Sequence, residues 1–287
     1  VVTHDPADFQ GLFPACPTIL VEGEQLDEDA QRRLFRANAD AGASGFWMFG
    51  SGGEGVTIDD ATRRRTLEIL FDELGEDFPV IAGISAEGTR RTLERWHPIA
   101  DLPVKGVFAV PPIYYGYSQD ELYDYFVSLV ELTGKPVFPY HNPFFTKNRM
   151  TIDTMMRLAN TPGIAGTKDS TKEIAELQRL VWDTPDDFVV FQGQEELIAA
   201  SFAVGARSVV SVVSASNVEL FMSLIRASAS GDLAEAWRLQ AAVNDYLVEI
   251  GTAAADTEGD FIGAVKKRLE SQGYGKAVLT APWRARS

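Results

Sequence analysis

The chain has 287 residues, 45% of them hydrophobic, and a formal net charge of −15. That length holds one large domain or two small ones, and the charge argues against nonspecific binding to nucleic acid or to an anionic membrane. One cysteine, Cys16, excludes an intramolecular disulfide framework and fits a reducing cytoplasm. No apolar run approaches the roughly 20 residues that span a bilayer. Val1-Val2-Thr3-His4-Asp5-Pro6 carries neither a basic nor an apolar leader segment, so no signal peptide and a cytoplasmic location are expected. Eight lysines against eighteen arginines fit a high-salt habitat and GC-rich coding alike.

In chain order, short β-rich runs alternate with amphipathic helical runs. The expected strands are Leu12–Leu20, Gly45–Phe49, Val80–Ala82, Gly106–Val110, Pro136–Tyr140, Ile164–Thr167, Phe188–Phe191 and Ser208–Val213. The first expected helix is Asp27–Ala41, with Asp27 as N-cap and an apolar stripe at Leu34, Phe35 and Ala39. Asp59–Leu74, Ser118–Leu132, Ile152–Ala159, Thr171–Trp182, Glu195–Val204 and Asn217–Ala229 follow the same logic. Eight strands alternating with helices predict an α/β fold with parallel strands. Runs apolar throughout, rather than alternating, predict strands covered on both faces. Strand ends recur roughly every 20–35 residues, the spacing of a (β/α)8 TIM barrel of ~250 residues. The rival, a doubly wound open sheet, would open its first helix with Gly-x-Gly-x-x-Gly, which is missing there. Asp232–Gly251 and Phe261–Gln272 read as additional C-terminal helices. The expected organisation is a catalytic barrel over 1–230 and a helical extension over 231–287 packed on it.

In a TIM barrel the chemistry sits at the C-terminal strand ends. After the second strand, Gly50-Ser51-Gly52-Gly53-Glu54-Gly55 exposes backbone N–H groups able to hold an anion, or is a tight turn with no ligand. It lacks the Gly-Lys-Ser/Thr ending of a P-loop, so a carboxylate rather than a nucleotide is implied. After the fourth strand, Tyr114, Tyr115 and Tyr117 serve either a subunit contact or a site that needs a phenol. The fifth strand ends in Tyr140-His141-Asn142-Pro143, where alternation points Tyr140 inward and His141 to the other face. His4 and His97 pair with neither Cys16 nor carboxylates at metal-ligand spacing, so no metal site is expected. The sixth strand ends in Gly166-Thr167-Lys168-Asp169. Lys168 is paired, snorkelling to solvent, or desolvated into a nucleophilic amine, and spacing alone does not separate these. Asp169, one residue on, should face away from it. After the seventh strand, Gln194, Glu195 and Glu196 either serve the helix dipole or bind hydroxyls.

Together these motifs resemble one family, the class I pyruvate-dependent aldolases that include dihydrodipicolinate synthase and N-acetylneuraminate lyase. The match runs from about Gly11 to beyond Ser211, in order. Gly50-Ser51-Gly52-Gly53-Glu54 resembles the family's Gly-[Ser/Thr]-Thr-Gly-Glu turn, and Pro112–Ser118 the lyase branch's Pro-Phe-Tyr-Tyr-Pro-Phe-Ser. Tyr140-His141-Asn142-Pro143 is similar to Tyr-Asn-x-Pro, and Gly166-Thr167-Lys168 to the Schiff-base lysine segment. The resemblance implies that Lys168 forms an imine with pyruvate or another 2-keto acid, without cofactor or metal. It implies Tyr140 as general acid/base, with Ser51 linking it to Tyr114 of a neighbouring subunit in a homotetramer, a dimer of dimers. It also places Gly50, Gly52, Gly53, Phe145, Gln194, Glu195 and Ser211 around the substrate. There are departures: Gly52 replaces a hydroxyl residue, and Phe145 stands where the synthase branch has an arginine. The implied partners are a 2-keto acid and an aldehyde. The foremost expected activity is cleavage or formation of a 2-keto-3-deoxy sugar acid or sialic-acid-like compound. A hydratase-aldolase for aromatic pyruvate adducts, a keto-deoxy sugar acid dehydratase, a dihydrodipicolinate synthase and a non-catalytic keto-acid-binding barrel stand as alternatives.

Overall fold

Eight parallel strands close into a barrel in the computed structural model, which describes residues 2–284. Val1 of the expected leader-free start and 285–287 of the expected extension lie outside the described residues. The chain runs β1 (Gly11–Pro14), a small hairpin β2 (Leu20–Val21) and β3 (Gln25–Leu26), then β4 (Phe46–Met48), β5 (Val80–Gly83) and β6 (Gly106–Ala109). It continues through β7 (Val137–His141), β8 (Gly166–Asp169), β9 (Val189–Gln192) and β10 (Ser208–Ser211). The sheet order is β1-β10-β9-β8-β7-β6-β5-β4. Ser44, just ahead of β4, joins the two edges: its N–H donates to the Leu12 carbonyl at 2.8 Å. The fold is thus the expected (β/α)8 barrel with C-terminal helices.

The barrel strands are buried along almost their whole length, which explains why their sequences do not alternate. Their inward rings pack on one another. Trp47 stacks on Phe108 at 4.1 Å between centroids, and Phe191 meets Phe13 at 5.3 Å, Trp47 at 5.7 Å and Phe138 at 5.9 Å. Phe9, from a short turn before β1, meets Phe138 edge-on at 4.9 Å and plugs the N-terminal end. Each such pair contributes about 0.5–1.5 kcal/mol beyond burial alone.

The helices are α1 (Glu28–Asp40), α2 (Asp60–Leu74), α3 (Thr89–Trp96), α4 (Gln119–Thr133), α5 (Ile152–Ala159), α6 (Ile174–Trp182), α7 (Ile198–Ala203), α8 (Val218–Ser230), α9 (Leu233–Glu249) and α10 (Glu258–Ser271). Caps set their starts as expected: Asp27 accepts from Ala30 N–H, and Ser118 forms a capping box with Glu121.

Four expectations are corrected. The run Leu12–Leu20 is not one strand; it breaks after Pro14, and Leu20 belongs to the β2–β3 hairpin. Helix α3 was not expected, because Thr-Arg-Arg-Thr-Leu-Glu-Arg-Trp offers only Thr92 and Trp96 as buried residues. Helix α6 starts at Ile174, not Thr171: the Asp169 carboxylate accepts from both N–H and Oγ1 of Thr171, and Lys172 takes a φ of 68°. Helix α10 starts at Glu258, not Phe261, since Thr257 and Asp260 form a capping box. The C-terminal helices lie on the barrel: the Gln240 side chain of α9 donates to Glu195 C=O and accepts from Ala199 N–H, each at 2.9 Å.

Candidate active site

Parallel register places the chemistry. Lys168 on β8 is the register partner of Tyr140 on β7, and His141 is the partner of Asp169. Alternation then sends Lys168 and Tyr140 to the barrel interior and the other two outward. The Lys168 ammonium lies 4.3 Å from the centroid of the Tyr140 ring and 5.7 Å from that of Trp47. Lys168 is only 7% exposed, and among the described residues no carboxylate lies within 4.0 Å of Nζ. Asp169 faces away, as expected, with Oδ2 3.5 Å from His141 Nδ1. His141 Nε2 accepts from Met150 N–H at 3.2 Å, which marks it as structural.

A cavity of about 800 Å³ opens above Lys168. Of the residues expected at the site, Lys168, Tyr140, Ser51, Gly52, Phe145, Gln194 and Glu195 line it. Gly50, Gly53, Ser211 and Tyr114 are not part of that lining. Ser211 Oγ donates to Glu195 Oε1 at 2.8 Å and accepts from Ser214 N–H at 3.0 Å. Burial, partly offset by the Ser211 hydrogen bond, holds the Glu195 carboxyl above the ordinary carboxylate range. Gln194 is tethered through Nε2 to Ser170 C=O at 2.9 Å. Gly193 has a steric reason: a Cβ there would sit 2.8 Å from Lys168 Cε.

The Gly50–Gly55 turn is tied by Gly53 N–H and Gly55 N–H to Gly50 C=O, each at 3.1 Å, and by Glu54 N–H to Ser51 C=O at 3.0 Å. Among the described residues the N–H groups of Ser51 and Gly52 have no acceptor, which leaves two backbone donors unused at residues that line the cavity, the kind of group that can hold an anion. The place of the missing hydroxyl side chain is filled: a Cβ on Gly52 would lie 2.3 Å from Val212 Cγ2. Ser51 does not bond to Tyr140 within the chain. The Tyr140 hydroxyl accepts from Asn142 Nδ2 at 2.9 Å, and Asn142 Oδ1 is buried without a partner. Tyr114 is 69% exposed with a φ of 83° and packs edge-on with Tyr115 at 4.9 Å.

Sequence reasoning gave no role to Asn142, Ser170 or Lys172, nor to the wall that Asn244, Leu247 and Val248 of α9 and Phe261 and Ile262 of α10 supply. The Tyr-His-Asn-Pro order was a signal for Asn142. The wall had none, since helices beyond the eighth unit carry no strand-end position. Lys172 pairs with Glu196 at 3.5 Å across the mouth. Among the described residues no cluster of His, Cys, Asp and Glu could hold a metal, and no helix is long and apolar enough to cross a membrane.

A buried lysine with no carboxylate within 4.0 Å among the described residues thus stands beside a buried tyrosine at the C-terminal end of a parallel barrel, the end where barrel enzymes carry their chemistry. The Dihydrodipicolinate synthetase family model matches residues 8–282, and the chain belongs to that family; with it, the chain is a carbon–carbon lyase. An uncharacterized DapA-like lyase of Halobacterium salinarum is 30% identical over 280 residues, 98% of this chain and 90% of that protein. The 4-hydroxy-tetrahydrodipicolinate synthase of Methanopyrus kandleri is 31% identical over 233 residues, 80% of this chain and 78% of its own length. Among solved structures, a catalytic lysine mutant of the Ruminococcus gnavus sialic acid aldolase superposes with a TM-score of 0.91 at 18% identity, over 99% of this chain and 93% of that one. The dihydrodipicolinate synthase of Aquifex aeolicus does so with a TM-score of 0.88 at 24% identity, over 97% and 93%.

Proposed function

We propose that Lys168 forms an imine with pyruvate and that the enzyme makes or breaks the C–C bond between pyruvate and an aldehyde. The observation that carries this reading is the in-register pair of Lys168, free of any carboxylate within 4.0 Å, and Tyr140. The neutral amine adds to the ketone carbon, water leaves, and a protonated imine remains. In the cleavage direction the Tyr140 hydroxyl gives its proton to the water that leaves as the imine forms, and the oxygen so freed takes the proton of the C4 hydroxyl. The C3–C4 bond breaks, its electron pair enters the imine as an enamine, and the aldehyde departs. Protonation at C3 and addition of water to the imine release pyruvate and restore Lys168. The imine is itself the electron sink, so the route calls for no added cofactor. Ser51 and Gly52 N–H groups receive the keto acid's carboxylate. Tyr114, directed away from its own cavity, extends the proton path in a neighbouring subunit of a homotetramer.

For the aldehyde, the polar side formed by Ser170, Gln194, Glu195 and Glu196 supports a polyol, hence a 2-keto-3-deoxy sugar acid or sialic-acid-like substrate. Phe145 offers no anchor for a second carboxylate. The apolar lining residues Phe144, Phe145, Val248 and Phe261 support the second reading, a hydratase-aldolase for aromatic pyruvate adducts. Pyruvate release from keto-deoxy sugar acids, sialic acid and benzylidene pyruvates separates them. Release from the last alone would replace the sugar reading. A folded protein that gains no mass adduct at Lys168 with pyruvate and borohydride would sink the imine altogether.

A further inference from the structure

One fully buried charged pair takes no part in this chemistry. Glu54, the last residue but one of the Gly50–Gly55 turn, has a φ of 55°, and its side chain does not line the cavity. Its Oε1 pairs with the ammonium of Lys266 on α10, and its Oε2 accepts from Thr280 N–H at 2.6 Å and from Thr280 Oγ1 at 2.8 Å. Lys266 also donates to Val278 C=O at 2.6 Å. Thr57 Oγ1, which donates to Glu54 C=O at 2.9 Å, lies 2.7 Å from Thr280 Oγ1. Both charged side chains have no exposure.

A buried ion pair adds little net stability over an apolar pair of the same volume, whereas a buried polar network can specify position. This network joins two parts of the chain that each touch the site. Glu54 holds Ser51 C=O through its own N–H, so the Ser51–Gly52 segment is braced directly from the knot. On the other side, Lys266 follows Ile262 by four residues on the same helix, and Ile262 lines the cavity. Burial pulls the Lys266 ammonium below its ordinary range, and the Glu54 charge beside it opposes that pull.

We infer that Lys266 and Thr280 are positioning residues that clamp Glu54, fix the Ser51 and Gly52 N–H groups, and thereby set the affinity for the 2-keto acid. The inference rests on the reading that this turn holds the carboxylate. The test is borohydride trapping at Lys168 as a function of pyruvate concentration, read by intact mass, in wild type, Thr280→Val, Lys266→Met and the charge-free double variant Glu54→Gln/Lys266→Met. A wild type that traps no pyruvate means that the imine reading has failed, independently of the clamp. With trapping established, Thr280→Val is expected to raise the half-saturating pyruvate concentration about fivefold, the cost of one displaced hydrogen bond, with the maximal adduct unchanged. Lys266→Met should exceed that shift. If it does not fold, Thr280→Val and the double variant carry the test. Folded Thr280→Val and double variants that trap pyruvate within twofold of the wild-type concentration, whatever their Tm, would show a purely structural anchor and overturn the inference.

Discussion

Replacing Tyr140 by Phe removes one oxygen from the floor of the cavity and little else. The ring keeps its edge contacts with Trp47 at 6.2 Å and Phe108 at 6.1 Å, so no void opens. Lys168 keeps an aromatic face 4.3 Å from its ammonium. What is lost is the acceptor for Asn142 Nδ2. Asn142 is buried and its Oδ1 already lacks a partner, so the whole amide is left unpaired. That costs about 1–3 kcal/mol, which lowers Tm by a few degrees in a chain of this length. The kinetic loss is separate. A general acid/base contributes about 10²–10⁴-fold, so turnover in the pyruvate-release assay should fall by that factor. Trapping of pyruvate at Lys168 should persist. Turnover within tenfold of wild type would refute Tyr140 as the proton carrier. Loss of trapping in a folded variant would move the tyrosine from bond cleavage to imine formation.

Lys168→Met should abolish both trapping and turnover while leaving stability equal or higher, because a desolvated ammonium without an ion pair is replaced by an apolar chain of similar length; a loss above ~2 kcal/mol in urea unfolding would reveal a partner for the amine. Burial raises the Glu195 carboxyl above its ordinary 4.5, so the folded state holds a proton that the unfolded chain releases. Its contribution is intact below that value and declines as pH climbs through the higher folded-state value. Glu195→Gln should therefore gain stability over wild type at about pH 7 and show no gain at about pH 4; a variant less stable than wild type at both would contradict the sign. If Tyr114 acts across a subunit contact, dilution to monomer should reduce specific activity, and a fully active monomer would remove it from the proton path.

The barrel was legible because each inward strand is buried on both faces, and runs such as Gly106–Ala109 and Val189–Gln192 therefore lack polar alternation. The places of Tyr140 and Lys168 were legible for a related reason: both stand at the C-terminal ends of neighbouring strands, where the alternation turns them to the same interior. Helix α3 was hidden because its buried side is only Thr92 and Trp96 and its remaining surface is charged. The first strand was overread since Ala15, Cys16, Ile19 and Leu20 are buried in loop and hairpin rather than in the sheet, and burial alone does not separate the two. The cavity wall from α9 and α10 could not be placed, because Val248 and Phe261 meet the mouth only through tertiary packing. The Glu54–Lys266 pair joins residues more than two hundred positions apart and leaves no local pattern at all.

The aromatic packing beneath Lys168 makes the barrel a cup rather than a tube. Phe9, Phe13, Trp47, Phe108, Phe138 and Phe191 pack below it, so among the described residues the mouth at the C-terminal strand ends serves as both entrance and exit. Traffic through one mouth has an order. If Lys168 forms the proposed imine, the molecule bound to it should arrive first and leave last, and an aldehyde seated above it should arrive last and leave first. In the synthetic direction the aldehyde should then react only once the keto acid is seated, and in cleavage pyruvate should be the last product to depart.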